Sequence, residues 1–329
     1  MAIIELAIDI GTSNTTIYQK NVGVVLFEPS VIAISQGRTA GVKCVGLEAK
    51  KLVGKVTSGA VVNFPLFEGV ITLPFAAVMM LKSYLQRVIP KNLKVKIHAI
   101  ITVPCGVSEK QKELFENVAY EAGINQALIV ESPIATRQTL RKNLSECLVI
   151  DIGGGKTDIS ITDKNGILCG CSLGVGGNNM DTGIIDFLSD ELKFKLGLIS
   201  AANSRIKIGS LNQNESSSIQ VNGRDLSNGA PIAMEIDSKN IYSTVLYYYQ
   251  KIAELTKAML LGLDEITFNN VQKNGAFIMG GAAQIPGLTE FLERALCMPV
   301  NLMDDPAFCA ARGAGRFLED KALMQTLYM

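Results

Sequence analysis

The sequence predicts a two-lobed α/β fold made by duplicating one domain, and three observations carry that prediction. Residues 7–17 read AIDIGTSNTTI and residues 149–159 read VIDIGGGKTDI, so Asp9 matches Asp151, Gly11 matches Gly153 and Thr15 matches Thr157. The offset is 142 positions in a chain of 329, close to half its length, which marks one duplicated domain and not a solenoid of short repeats. Apolar strand-like runs alternate with amphipathic helical ones, the pattern of sheets covered by helices on both faces. The length suits two domains of roughly 100–200 residues.

In each copy an apolar strand ends at an Asp, a Gly-rich turn follows, and a run rich in β-branched residues forms a second strand (Thr15, Thr16, Ile17; Ile159, Ile161, Thr162). Segment 97–104 (IHAIITVP) reads as a buried strand. Segment 108–122 (SEKQKELFENVAYEA) reads as a helix with Ser108 as N-cap and Gly123 as stop, and 127–131 (ALIVE) as the next strand. The polar, Gly/Asn-rich stretch 210–229 reads as hairpins of a small subdomain. Residues 241–263 read as a long helix whose apolar stripe serves mainly core packing, with the Tyr247–Tyr249 run facing the core on one side and a lobe or subunit contact on the other. A third glycine element, AFIMGGAAQIPGL (276–288), reads as a buried strand, then Gly280–Gly281, then a helix from near Pro286. Two readings of it stand: a plain strand-to-helix turn, or a backbone surface for adenine or phosphate at a helix start.

Composition narrows the function classes. Lys+Arg number 31 and Asp+Glu 31, with a pI near 6.6. A chain without surplus basic charge does not coat nucleic acid, because neutralising phosphates requires Lys and Arg. A hydrophobic content of 48% excludes a disordered chain. The seven cysteines (44, 105, 147, 169, 171, 297 and 309) form no C-x-x-C pair and have one His to help, so neither structural zinc nor a disulfide framework is expected. That His, His98, reads as a strand packing residue; Cys169 and Cys171 share one face of a strand. Glu5 and Asp9 interrupt the first apolar segment too early for a secretory signal, and no apolar run approaches the ~18 residues that span a bilayer. A cytoplasmic location follows as the expectation. A mean hydropathy of +0.26 hints at apolar contacts with other subunits or a membrane surface.

Glycines let the backbone N–H groups of a turn approach an anion, and the hydroxyls of Thr12, Ser13 and Thr157 add donors. Two such turns, one per domain, can clamp a polyphosphate between them. Asp9 and Asp151 would repel phosphate directly, so they make sense as holders of Mg²⁺ or its waters. One Asp-x-Gly turn alone is accounted for by an ordinary hairpin; the pair at half-chain spacing is not.

Together these elements resemble the actin-like ATPase superfamily of actin, the 70-kDa heat-shock chaperones and sugar kinases. More narrowly, IDIGTSNTTIY, VVLFEPSVIAI (24–34), VGLEAKKLVGK (45–55), FPLFEGVI (64–71), VESPIA (130–135), VIDIGGGKTDI, LGVGGNNMD (173–181), NGRDLSNGAP (222–231), IMGGAAQIPGL and DDPAFCAARGAG (304–315) are similar, in order, to the MreB family, bacterial actins that organise rod-shape wall synthesis. The resemblance implies an actin-like two-lobed fold of duplicated ribonuclease-H-like domains with small inserted subdomains. Domain I would span 1–139 with an insert at about 29–67, domain II 140–311 with an insert at about 181–241, and 312–329 would return to domain I. The implied ligand is ATP or GTP with Mg²⁺. Asp9, Gly11, Thr12, Ser13 and Asn14 would form the first phosphate loop, and Asp151, Gly153, Gly154, Gly155, Lys156 and Thr157 the second. Gly176 and Gly177 would lie near the nucleotide, and Gly280 and Gly281, with Ala282 in place of a third glycine, would line the adenosine pocket. Within AANSRIKIGS (201–210), Arg205 and Lys207 would survive from a helix that usually reads E-R-I-K-x-E-I-G. The implied behaviour is polymerisation into filaments, typically antiparallel pairs. MreB-like paralogues, the inner-membrane surface and wall-synthesis proteins are the further partners it suggests, and nucleic acid is not among them.

The departures from the family bear on catalysis. Members usually read E-E-P or D-E-P where this chain has Glu131-Ser132-Pro133, and the second acidic residue positions the attacking water. They usually read D-I-G-G-G-T-T where it has Lys156, and the first of those threonines helps to hold that water. Losing both groups would cost on the order of 10²–10⁴ in rate, because phosphoryl transfer depends almost wholly on orientation and charge stabilisation. An ammonium at 156 could pair with the β- or γ-phosphate, which improves binding without improving turnover. The resulting expectation is a nucleotide-binding filament protein with slow or absent hydrolysis. The alternative is that Lys156 points to solvent and catalysis survives through Glu131. Two other classes on the same fold are a small-molecule kinase or phosphatase, which needs a substrate base and a larger cleft, and a chaperone-like switch, which needs a peptide-binding domain. Many members also lay an N-terminal amphipathic helix on the membrane; this sequence opens in its first strand, so the loop around Val88, Ile89 and Pro90 is the expected substitute.

Overall fold

The structure, a computed structural model, describes residues 2–36, 41–55, 59–90, 94–140, 144–212 and 214–328. Its frame is two five-stranded sheets with the same plan. The first runs Gly23–Pro29, Asn14–Gln19, Ala2–Ile10, Val95–Val103, Gln126–Glu131; the second runs Ile167–Leu173, Thr157–Thr162, Cys147–Ile152, Ala276–Met279, Val300–Leu302. In both, the strand that ends at the glycine turn pairs antiparallel with the strand leaving it and parallel with a strand on its other side. Asp9 stands opposite Thr16 and Asp151 opposite Asp158, the same register in both copies. The sequence repeat is thus a repeat of topology. Val/Ile-rich strands such as Leu148–Ile152 are buried on both faces, as parallel sheets covered by helices require.

Each sheet carries its own hydrophobic core. Smaller three-stranded sheets accompany them: Ile32–Ser35 with Val42–Val45 and Ala60–Asn63, and Phe194–Lys195 with Ser218–Asp225 and Pro231–Asp237. The hairpins expected over 210–229 are one hairpin displaced toward the C-terminus. Residues 210–212 and 214–215 instead form a turn held by side chains: Ser210 Oγ donates to Glu215, and Asn212 Oδ1 accepts from the Asn214 N–H. Position 213 lies outside the described residues.

The helix Glu109–Ala122 has Ser108 Oγ accepting from the Gln111 N–H and stops at Gly123, whose φ of 107° is left-handed. The long helix Ser238–Leu261 starts from a reciprocal cap between Asp237 and Asn240. It buries Tyr249, whose hydroxyl donates to the Ala282 carbonyl at 2.6 Å, and leaves Tyr247 half exposed. The expected helix near Pro286 begins at Leu288; Gly281–Gln284 forms a 3₁₀ turn and Gly287 needs φ 81° before the helix can start.

The helix Cys309–Glu319 returns to the first sheet. Phe317, Ala314 and Leu318 pack with Ala7, Ile100 and Val130, and Gly313 lies so close to Ala135 that a Cβ there would sit 2.5 Å from the Ala135 carbonyl carbon. All seven cysteines are free thiols. Among the described residues no helix is long and apolar enough to cross a membrane. Val88 and Ile89 are half-buried and pack on the first core, so of these three residues named for membrane contact only Pro90 is exposed.

Candidate functional site

The two glycine turns meet face to face between the sheets. Each is closed by the same hydrogen bond, Gly11 N–H to the Asn14 carbonyl at 3.0 Å and Gly153 N–H to the Lys156 carbonyl at 2.9 Å. Gly154 lies directly against Ser13 Oγ, and a Cβ on Gly155 would come 2.6 Å from Thr12 Oγ1, so the second turn must be glycine where the first carries hydroxyls. The helix Gly177–Leu192 starts against the second turn, with the Gly177 and Asn178 N–H groups donating to the Gly153 and Gly154 carbonyls. Ser13 Oγ donates to Asn178 Oδ1 at 3.0 Å, tying the first turn to that helix.

Around this meeting point lies a cavity of about 460 Å³, within the size range of small-molecule sites. It is lined by Asp9, Gly11, Thr12, Ser13 and Asn14 from the first turn and by Asp151, Gly153, Gly154, Gly155 and Lys156 from the second. Gly177, Arg205, Gly280, Gly281, Ala282 and Ser132 complete the set that sequence reasoning placed there.

Four other sequence candidates do not line it. Glu131 turns away: Oε2 accepts from the Gly106 N–H at 2.9 Å and Oε1 pairs with Lys112 at 3.3 Å. Thr157 is buried behind the second turn, where its hydroxyl donates to the Val175 carbonyl at 2.7 Å. Gly176 also stands behind that turn, against the Gly153 and Gly154 carbonyls. Lys207 is exposed on the outer face of the helix Leu198–Ile208; two residues along a helix is more than half a turn, so Arg205 faces the cavity and Lys207 cannot.

Buried charge dominates the cavity floor. Asp9 accepts from Thr102 Oγ1 at 2.8 Å, yet burial raises its pKa against that bond and against the Lys156 charge. Burial pushes Asp151 up to about 7, with Lys156 opposing and Asp158 and Asp9 adding to the rise. Lys156 does not point to solvent, as the alternative reading required. Its side chain is 16% exposed, its ammonium pairs with Asp158, and its stem lies beneath Gly69. Burial works against that ammonium, but Asp158, Asp151 and Asp9 outweigh it and hold the lysine pKa above its ordinary value. Asp158 Oδ1 has no hydrogen-bond partner among the described residues. Nearer the mouth, Arg205 Nε donates to Asp181 at 2.6 Å, and burial raises the Asp181 pKa against that guanidinium.

Among the described residues no group of three or more His, Cys, Asp or Glu could hold a metal by itself. Asp9 and Asp151 both line the cavity, so the site suits an ion that keeps its waters and takes ligand oxygens, as Mg²⁺ does. Sequence reasoning missed Thr102, Lys50, Asn178 and Asp181, all of which line the cavity. Thr102 carried a geometric signal, since pairing 97–104 parallel to the first strand sets it beside Asp9; Lys50, Asn178 and Asp181 lie within segments quoted for the resemblance but were not singled out there.

Comparisons with known proteins identify the family and the fold. The family model described as MreB/Mbl protein matches residues 3–326. The cell shape-determining protein MreB of Pasteurella multocida is 30% identical over 325 residues, covering 96% of this chain and 93% of that protein. The crystal structure of MreB5 of Spiroplasma citri bound to AMPPNP superposes with a TM-score of 0.90 at 28% identity, covering 100% of this chain and 99% of that one. A MamK double helical filament superposes at 0.82 with 22% identity over 97% and 99%, a likeness of fold. The two-sheet frame is the actin-like fold.

Proposed function

The chain belongs to the MreB/Mbl family, and from that premise we propose that it is a nucleotide-binding bacterial actin that polymerises and hydrolyses its nucleotide slowly or not at all. ATP, or GTP, with Mg²⁺ is the proposed ligand, and the filament serves cell shape or intracellular organisation. The AMPPNP-bound relative supports the nucleotide, and the filament formed by MamK is consistent with self-association.

In this reading backbone N–H groups of the two glycine turns bind the phosphate chain; those at the start of the helix Gly177–Leu192 are already spent on the second turn and on Gly176. Arg205, held by Asp181, and the Gly280–Ala282 segment take the nucleoside. Asp9 and Asp151 hold Mg²⁺ through its waters; when bound, that ion offsets phosphate charge.

One observation carries the proposal of slow hydrolysis. The cavity presents Ser132 and Lys156 where the family resemblance expects the water-positioning Glu and Thr, while the neighbouring Glu131 carboxylate is occupied by Gly106 and Lys112. A serine hydroxyl is no general base at neutral pH, and an ammonium has no lone pair to accept a proton from water.

The test is phosphate release and sedimentation, measured together with and without Mg-ATP, on the wild type and on Ser132→Glu/Lys156→Thr. Pelleting filaments with negligible release, and release restored in the double variant, is the expected outcome. Brisk release by the wild type would overturn the reading of slow hydrolysis, and no pelleting under any nucleotide would overturn the filament.

A further inference from the structure

Lys156 is the charged residue of the two turns that the internal repeat does not explain. Its counterpart in the first turn, at the same offset as Asp9 and Asp151, is the uncharged Asn14. Three features of its surroundings fix what it can do.

Its position is held. Gly69 packs on the stem so closely that a Cβ there would lie 2.6 Å from Lys156 Cε, and the Gly69 N–H is itself anchored by donating to Thr12 Oγ1 at 2.7 Å. Its donors are only partly used. Among the described residues the ammonium hydrogen-bonds Asp158 alone, and an ammonium has three N–H donors, so two remain for a ligand in the cavity it lines. Its charge is needed. Asp9, Asp151 and Asp158 act on it together, and it is the cation among them.

A polyphosphate arriving beside Asp9 and Asp151 adds negative charge to a site that already holds two carboxylates. A divalent ion ordinarily offsets that repulsion. A clamped ammonium supplies positive charge at the same place without a metal, and it is pre-oriented, so little is lost in ordering it on binding. Resting on the nucleotide reading above, we infer that Lys156 is a built-in counter-cation for the phosphate chain, so that nucleotide binding by this protein persists when divalent metal is removed. Asp9 and Asp151 still accept Mg²⁺ in this scheme; the ion adds to affinity but is not required for it. Lys156 stays on Asp158 throughout, which avoids stranding a buried carboxylate.

The experiment is a calorimetric titration of the full chain with AMPPNP, in Mg²⁺ and in EDTA, on three proteins whose folding is checked by thermal melting. They are the wild type, Lys156→Thr, and Lys156→Met/Asp158→Asn. The double variant removes both members of the buried pair and keeps the stem, so the test stays decisive if Lys156→Thr, which strands Asp158, does not fold. EDTA is expected to weaken wild-type affinity by about threefold or less and that of the folded variants by about 10- to 100-fold, the range for losing charge-assisted hydrogen bonds. A wild type that loses as much in EDTA as the variants overturns this inference and leaves the nucleotide reading intact. A wild type that binds no AMPPNP even in Mg²⁺ overturns the nucleotide reading, and the counter-cation with it.

Discussion

The nucleotide-free protein should lose stability as pH rises through neutrality, and Asp151 should be a principal cause. Its carboxyl titrates near 7 in the folded chain because burial disfavours the ionised form, against an ordinary value of 3.8. The folded state therefore holds a proton that the unfolded chain has released. The stabilisation is fully present below 3.8 and is lost as pH rises through about 7. Integrated between pH 5 and pH 8, this one group accounts for about 2–3 kcal/mol, since each pKa unit is worth about 1.4 kcal/mol. Asp9, raised by the same burial, acts in the same direction. The assay is urea denaturation without nucleotide at pH 5, 6, 7 and 8, on the wild type and on Asp151→Asn. The wild type should weaken steadily over that range, and the variant should show a distinctly flatter dependence. Parallel profiles for the two proteins would refute the reasoning, because they would mean that Asp151 is ionised in the folded chain throughout. A bound cation should reverse the sign by holding Asp151 ionised, so binding of the Mg-nucleotide near pH 6.5 should release protons, measurable as a buffer-dependent heat.

Four other perturbations test separate parts of the structure. Glu131→Gln, with its carboxylate committed to Gly106 and Lys112, should change phosphate release far less than the roughly 10²–10⁴-fold a general base supplies; a loss of that size would place Glu131 in the chemistry. Gly155→Ala drives a Cβ to 2.6 Å from Thr12 Oγ1, so nucleotide affinity should fall, and Thr12→Gly in the same chain should recover part of it in a titration; no recovery would mean that the two turns do not meet as described. Thr12→Val removes the acceptor of the Gly69 N–H at a cost of about 1–3 kcal/mol, and hydrogen exchange should quicken at Gly69 first. Phe317→Ala empties a buried site between the last long helix and the first sheet, and chemical denaturation should report a loss of about 3–5 kcal/mol.

The fold was legible where local chemistry and tertiary demand agree. The duplicated Asp-x-Gly turns, the Ser108 and Gly123 boundaries and the two sheets follow from short patterns that packing leaves unchanged. The hairpin at Ser218–Asp237 was displaced because Ser210 and Asn212 satisfy the preceding backbone with side chains, which composition alone does not distinguish from strand pairing. Most of the cavity lining was readable for the same reason as the turns: the residues that the two turns contribute to it are contiguous in sequence. What escaped is set by geometry between distant segments. Asp181 and Arg205 meet across two helices, and Lys207 shares a motif with Arg205 but not a helix face. Glu131 borders the site in sequence, while a backbone amide at Gly106 and an ammonium at Lys112 turn its carboxylate elsewhere.

The divergence between the two copies has a physical origin in how they meet. At the shared offset, Thr12, Ser13 and Asn14 correspond to Gly154, Gly155 and Lys156. The contacts are crossed: Gly154 receives Ser13 and Gly155 receives Thr12. Two identical turns brought together head to head would place either hydroxyl against hydroxyl, too bulky for this approach, or glycine against glycine, with no side-chain donor to reach a neighbour. Giving one copy the side chains and the other the space resolves both problems, and it frees Ser13 to bond Asn178 and Thr12 to bond Gly69. The same asymmetry leaves position 156 at the edge of the crowded contact, where a long side chain can run beneath Gly69 and end at Asp158. A lysine at position 14 would lack that partner, since the residue corresponding to Asp158 in the first copy is Thr16. The charge in the cavity is thus tied to the second copy by its neighbour two residues along the strand, and it could not have arisen symmetrically.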